Sequence, residues 1–257
     1  MSARPESLSL TDHLTLTRAG TPSYADAVAH PFLWSAGDGT IDKSLFCLWL
    51  AQDRIYAAYA YPKFIGGLVV RIPFSRSVPP ESGSESGLST RSESANRRIL
   101  RTLAGCLENI VQEVEFFTTT ARTHGLDLGV WEEREGTREY VAEMARMADD
   151  ENFGEGFVFL WAMEKVYLDA WTFVRAEARK RDDFHSEKSP TDGLVWQFVE
   201  NWTSPGFVEF VDELAALANA TDVTVKRATE IWDRVIELEK GFWPVAGEEI
   251  LMRKDGA

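Results

Sequence analysis

The chain has 257 residues, 44% of them hydrophobic and 12% aromatic, which is enough apolar material to bury a full core. Its 27 Lys and Arg stand against 41 Asp and Glu, and the formal net charge of -14 repels a phosphate backbone or an anionic membrane over most of the surface, so neither nucleic acid nor membrane is expected as a partner. Cys47 and Cys106 suggest no disulfide framework, no apolar run approaches the ~20 residues of a membrane span, and residues 1–16 lack the apolar stretch of a secretory signal; a reduced, cytoplasmic setting is the default.

In chain order, a first helix is predicted from Pro22 or Ser23 to about Phe32, followed by a turn at Gly37, Asp38 and Gly39. Asp42 reads as an N-cap. From Lys43, Phe46, Trp49, Asp53, Tyr56 and Ala60 recur every three or four residues on one stripe until Pro62 interrupts or kinks it. Gly67 to Ile72 is ambiguous with a strand. Residues 73–96 turn to Ser, Glu, Pro and Gly and read as a mobile or disordered insertion.

Leu100, Leu103, Leu107, Ile110, Val114 and Phe117 then mark a long one-sided helix ending at His124 and Gly125, with Arg97, Arg98 and Arg101 on its solvated face. Thr137 is the expected cap of a helix carrying Tyr140, Met144 and Met147. Another helix starts near Asn152 and repeats Phe157, Trp161, Glu164, Leu168 and Trp171. After a polar stretch from Arg179 to Asp192, a helix through Trp196, Phe198 and Val199 breaks at Ser204, Pro205 and Gly206, and a further one runs to about Leu217. The last helix follows Thr221 and carries Trp232, Val235, Glu239 and Phe242 before Pro244. These elements predict an all-α fold, one multi-helix bundle forming a single domain over residues 1–257.

Three carboxylates, Asp53, Glu164 and Glu239, interrupt apolar stripes on separate helices. Each alone could sit at a stripe's edge, satisfied by water or an Arg, and the three need never meet. Burying all three without purpose would cost several kcal/mol apiece, so a shared pocket is the sharper reading. Aromatic walls there would stack a flat ring, carboxylates would bind ring nitrogens or an exocyclic amine, and mutual repulsion would hold one of them protonated as a general acid. His13, His30, His124 and His185 are scattered, without a Glu-x-x-His, so no metal is expected, and His30 reads as structural. Neither a Gly-x-Ser-x-Gly elbow, a P-loop nor a dinucleotide fingerprint is present, and no cofactor is expected.

The segments His30-Pro31-Phe32, Gly37-Asp38-Gly39-Thr40 and Leu50-Ala51-Gln52-Asp53 with Tyr56 resemble the TenA/THI-4 signature HPF, GDGT, LxQDxxY. Weaker collinear similarity covers Tyr140 to Met144, Trp161 to Tyr167, Trp202 to Phe207 and Glu239 to Trp243. The resemblance implies a heme-oxygenase-like helical bundle, a homo-oligomer (dimer or tetramer), and hydrolysis of aminomethyl or formylaminomethyl pyrimidine to hydroxymethyl pyrimidine in thiamin salvage. It implies that Asp53 binds the ring amine, that Tyr56 and Tyr140 shape the site, that Trp202 replaces a family tyrosine and that Glu239 exchanges a proton with the substrate. Phe46, Trp49, Trp161 and Tyr167 are candidates for the aromatic walls.

The cysteine-bearing branch of that family has its nucleophile in an LPCxWxY-like helix, where this chain has Leu160, Trp161, Ala162, Met163 and Glu164. Without that thiol, the expectation is direct attack by water, with Glu164 and Glu239 sharing the base and acid roles. Rival readings are a non-catalytic pyrimidine-binding or regulatory protein, an oxidoreductase on the same fold, and an enzyme for a related flat heterocycle.

Overall fold

The computed structural model describes residues 8–18, 20–74, 93–149, 152–181 and 191–254. In order these form α1 (Leu10–Arg18), α2 (Pro22–Val28), α3 (Pro31–Asp38), α4 (Lys43–Ile55), a π-helical turn (Tyr56–Ala60), α5 (Tyr61–Val70), α6 (Glu93–His124), a 3-10 turn (Leu128–Val130), α7 (Glu135–Asp149), α8 (Phe153–Ala178), α9 (Asp192–Trp202), α10 (Pro205–Asn219), α11 (Val225–Phe242) and α12 (Glu248–Leu251). The fold is all-α: among the described residues the sole extended pairing is one antiparallel bridge, Trp131 to Arg253. No described helix is long and apolar enough to cross a membrane.

Helix α8 runs through the middle, packed by α2, α3, α7, α9, α10 and α11. Its residues from Gly154 to Met163 are buried without a break, so it lacks the single apolar stripe of a surface helix. Around it lies an aromatic core in which Phe32, Phe46, Trp49, Trp171, Phe198 and Trp243 are almost entirely shielded from solvent. Burying each such ring is worth roughly 1.5–3 kcal/mol.

Several helix starts follow the sequence signals. Asp42 caps α4 by accepting from the Ser44 N–H at 2.7 Å, Asn152 caps α8 through Gly154 and Glu155, and Ser204 caps α10 through Phe207. Others differ. The helix expected from Pro22 to Phe32 is two helices, because Pro31 opens a new one and His30 Nδ1 caps it by accepting from the Phe32 N–H at 3.2 Å. The final long helix, expected after Thr221, begins at Val225 and is capped by Thr224. Thr137 lies inside α7, which begins at Glu135, and its hydroxyl donates to Gln52 instead of capping. Gly67 to Val70 is helical, and Gly67 lets α5 approach α7: a Cβ there would stand 2.8 Å from that of Ala148. Arg97, Arg98 and Arg101 are exposed.

Two devices position the site. At Tyr56–Ala60 the Tyr61 N–H bonds the Tyr56 carbonyl, an i→i+5 turn that carries α4 into α5. Pro62, lacking an N–H, then falls in the first turn of α5, where the missing donor does not end the helix. The second device is the approach of α7 to the end of α11, where a Cβ at Gly136 would lie 2.0 Å from the Gly241 carbonyl oxygen, so only glycine fits.

Most of the expected insertion, residues 75–92, lies outside the described residues, as do residues 182–190 of the polar stretch. At its edges the insertion is shorter than expected: α6 already starts at Glu93, and buried Asn96 donates to the Pro73 carbonyl at 2.9 Å.

Candidate active site

Helices α4 to α6 and α8 to α10 enclose a cavity of about 520 Å³, within the range of small-molecule sites. The α4–α5 segment contributes Asp53, Tyr56 and Tyr61; α6 contributes Cys106, Asn109, Glu113 and Phe116. From α8 come Met163, Glu164 and Tyr167, and Trp202, Phe207 and Phe210 close the far side. Three carboxylates therefore share one cavity, and no Lys, Arg or His is among its described wall residues.

Each carboxylate is held by a donor. Tyr167 Oη donates to Asp53 Oδ2 at 3.0 Å, Tyr61 Oη to Glu164 Oε1 at 2.8 Å, and Trp202 Nε1 to Glu113 Oε1 at 2.6 Å. One layer further in, Tyr140 Oη donates to Glu239 Oε1 at 2.7 Å, while buried Glu239 Oε2 has no hydrogen-bond partner. These donors hold the acids in place but do not cancel the cost of burying charge. Burial pushes Glu164 up to about 7 against the opposing Tyr61 bond, and Glu239 up to about 8, opposed by Tyr140 and raised further by Glu164. Asp53 and Glu113 are also raised well above the carboxylate range, first by burial, and each by other acids of the group. The result is a proton-holding cluster poised near neutrality.

No protein-family model matches the chain. It is 24% identical over 226 residues to a Glycine max protein named "Probable bifunctional TENA-E protein", with 86% of both chains covered. It is 29% identical over 239 residues to a Fusarium pseudograminearum protein named "Probable transcription factor", where the match covers 82% of this chain but 45% of that protein, so the chain spans less than half of that relative's length. Among solved structures, a TenA homologue from Pyrococcus furiosus superimposes with a TM-score of 0.70 at 23% identity, over 91% of this chain and 98% of that one. The chain shares the fold of the TenA homologues. Its architecture is accordingly the all-α, heme-oxygenase-like one.

Within this TenA-type fold, the structure brings together Asp53, Tyr56, Glu164, Tyr167 and Trp202 as walls of one cavity. Glu239 and Tyr140 stand behind it, Tyr140 packing edge-on against Tyr56 at 5.2 Å between ring centres. Three expected wall residues are not among the described walls. Phe46 and Trp49 point into the aromatic core, where Trp49 meets Trp171 at 5.4 Å and Phe198 at 5.3 Å. Trp161 packs on Trp232 at 5.1 Å, since α8 is buried all round and its aromatic residues serve different neighbours. Trp202 reaches the cavity, but its indole N–H is committed to Glu113 and is not spare for a ligand.

Of the signature motif, Gln52 is structural. Its amide donates to the Glu132 carbonyl and accepts from the Arg134 N–H and the Thr137 hydroxyl. Arg134 in turn bonds the Gly241 and Phe242 carbonyls at the end of α11, so the motif helix, α7 and the Glu239 helix are tied together. His30, expected as structural, serves as a cap.

Sequence reasoning missed Glu113, Tyr61 and the cavity-facing position of Cys106. Glu113 falls three residues after Ile110 and four before Phe117, the same acid-in-stripe spacing that singled out Asp53, but Val114 filled the slot in the pattern. Tyr61 is five residues from Tyr56; on a regular helix that separates two side chains by about 140°. The π turn turns both into one cavity. Cys106 is buried as expected of a core thiol yet borders the cavity, and burial followed by the charge of Glu164 pushes it up to about 12. Cys47 is buried elsewhere, accepting from Trp131 Nε1 at 3.3 Å.

Proposed function

We propose that this chain is a C–N hydrolase of thiamin salvage that converts aminomethyl or formylaminomethyl pyrimidine to hydroxymethyl pyrimidine without a thiol nucleophile. The observation that carries the reading is Glu164, held by Tyr61 inside an aromatic cavity beside Asp53. Asp53, fixed by Tyr167, orients the ring through its amine and nitrogen. The aminomethyl arm arrives protonated at neutral pH, so the step asks chiefly for a base. Ionised Glu164 takes a proton from water as the water oxygen bonds the arm carbon, the C–N bond breaks, and ammonia departs with the bond's electron pair. A group pushed up to about 7 can serve as carboxylate in this step and release the proton it has taken before the next turnover.

Glu239 does not border the cavity among the described residues, so its part is to act at a distance, through its charge on Asp53 when it is ionised. The thiol of Cys106, pushed up to about 12, is protonated at neutral pH and is a poor nucleophile in that state.

The test is calorimetric binding of hydroxymethyl aminopyrimidine followed by ammonia release from the aminomethyl compound. Binding with release supports the hydrolase. Binding without release favours a second reading, a ligand-sensing regulatory protein, which the name of the Fusarium relative supports.

A further inference from the structure

Glu164 lines the cavity from α8, and a carboxylate base works best when one of its oxygens is held and the other left open. Tyr61 Oη donates to Oε1 at 2.8 Å, and no hydrogen bond to Oε2 is found among the described residues. The other titratable groups in electrostatic reach of Glu164 are Asp53 on α4, Tyr56 on the π turn, Cys106 and Glu113 on α6, Tyr140 on α7 and Glu239 on α11. All six are acids, strong or weak, and none brings a positive charge. With no basic residue among the described walls, Tyr61 is the group that opposes burial and favours the ionised carboxylate on which the water step depends.

Tyr61 is held in turn. Cys106, on α6, hydrogen-bonds it. The Tyr61 hydroxyl has one hydrogen, given to Glu164, so the thiol, protonated because burial and Glu164 push it up to about 12, gives its own to the Tyr61 oxygen. A hydroxyl that accepts while it donates is polarised and donates more strongly. The backbone accounts for the placement. On a regular helix Tyr61 would point about 140° away from Tyr56, and the i→i+5 turn is what brings both to the cavity. That turn forfeits little, because Pro62 has no N–H to give to the Ala58 carbonyl in the regular register.

We infer that Tyr61, carried into the cavity by the π turn and braced by Cys106, is the positioning residue that orients Glu164 through Oε1, so that the proton taken from water lands on Oε2. The inference rests on the hydrolase reading and deepens it by naming the oxygen that acts as base and the partners that present it.

The experiment follows ammonia release from aminomethyl aminopyrimidine between roughly pH 5 and pH 9 for the full chain, for Tyr61→Phe and for Cys106→Ala. Without the hydroxyl the ionised form of Glu164 needs a higher pH. In Tyr61→Phe the acidic limb of the kcat profile should therefore move up by about one pH unit or more, with kcat on the plateau lower by about tenfold or more and KM within about threefold. Cys106→Ala leaves the phenol in place and should move the same limb in the same direction by less. A phenol that only fills space leaves the limb where it is, and that result in Tyr61→Phe overturns the inference while the hydrolase reading stands. Should that variant not fold, an unmoved limb in Cys106→Ala overturns it. If the unaltered chain releases no ammonia, the hydrolase reading itself falls and this inference with it.

Discussion

Two halves of the helix α4 stripe end in opposite environments. Phe46 and Trp49 enter a core of rings where the indole N–H groups of Trp49, Trp171 and Trp243 are buried without partners. A turn or two later, Asp53 and Tyr56 enter a cavity where Asp53, Glu113 and Glu164 each accept from an O–H or N–H. The core tolerates orphaned weak donors because ring packing repays them; charged acceptors could not be left orphaned, since an unpaired buried carboxylate costs far more than an unpaired indole. Aromatic residues thus divide by chemistry. On the dry side the indole N–H groups stay unpaired, whereas around the cavity Tyr167, Tyr61 and Trp202 each give a hydrogen to an acid.

Exchanging the properties of the two halves separates them experimentally. The largest effect is expected from Glu164→Gln, which should lower ammonia release by about 10²–10⁴-fold while leaving the melting temperature unchanged or raised. The amide still accepts from Tyr61 and no longer pays for burying charge. A variant with full turnover on every aminopyrimidine tested removes Glu164 from the mechanism. Next comes Trp49→Ala, the mirror image. Trp49 is wholly buried, and its loss should cost ~3–5 kcal/mol in denaturant unfolding, with the affinity of the folded molecules for hydroxymethyl aminopyrimidine changed by less than about tenfold. A small stability loss coupled to abolished binding would place Trp49 in the site after all.

The all-α fold was legible in the sequence because most helices announce themselves by cap and period, as Asp42 with Phe46 and Trp49, or Asn152 with Phe157, show. Helix α1 was not, since Leu10–Arg18 mixes Thr, Asp, His and Arg with short apolar residues and buries only Thr11 and Leu14. At the site, Asp53 and Glu164 could be singled out because an acid amid aromatic residues at helical spacing is conspicuous. Which face each neighbour takes could not be read, because α8 is buried around its circumference and Trp161 and Glu164 look alike to a periodicity argument. Tyr61 required knowledge of the π turn, a backbone event with no residue signature beyond the nearby Pro62. Glu113 carried the right spacing, but an apolar neighbour gave the same period.

The smallest predicted effect is a slope. Most proteins lose stability in acid because paired carboxylates must be protonated; here the cavity acids have folded-state values raised above their unfolded ones, so the sign reverses. Glu164, raised to about 7, and Glu239, raised to about 8, hold protons in the folded chain that the unfolded chain has already released. Their contribution is fully present below the unfolded value of 4.5 and is lost as pH rises through 7 and 8. His30 works the other way: burial, then Arg134 and Lys240, pull it down to about 4, so below its ordinary 6.5 the unfolded chain gains the proton and stability falls in acid. The two trends oppose each other below pH 6.5 and separate above it. Unfolding free energy, followed by denaturant titration at fixed ionic strength, should therefore decline between about pH 6.5 and pH 8.5, by at most about 1.4 kcal/mol per pH unit for each acid titrating. Glu239→Gln should flatten the decline, since the amide keeps an acceptor for Tyr140 and has no proton to lose. A flat or rising profile across that window would mean that the acids are ionised in the folded chain, and the contrast between a dry ring core and a proton-holding cavity would then have to be redrawn as one between a dry core and a solvated cleft.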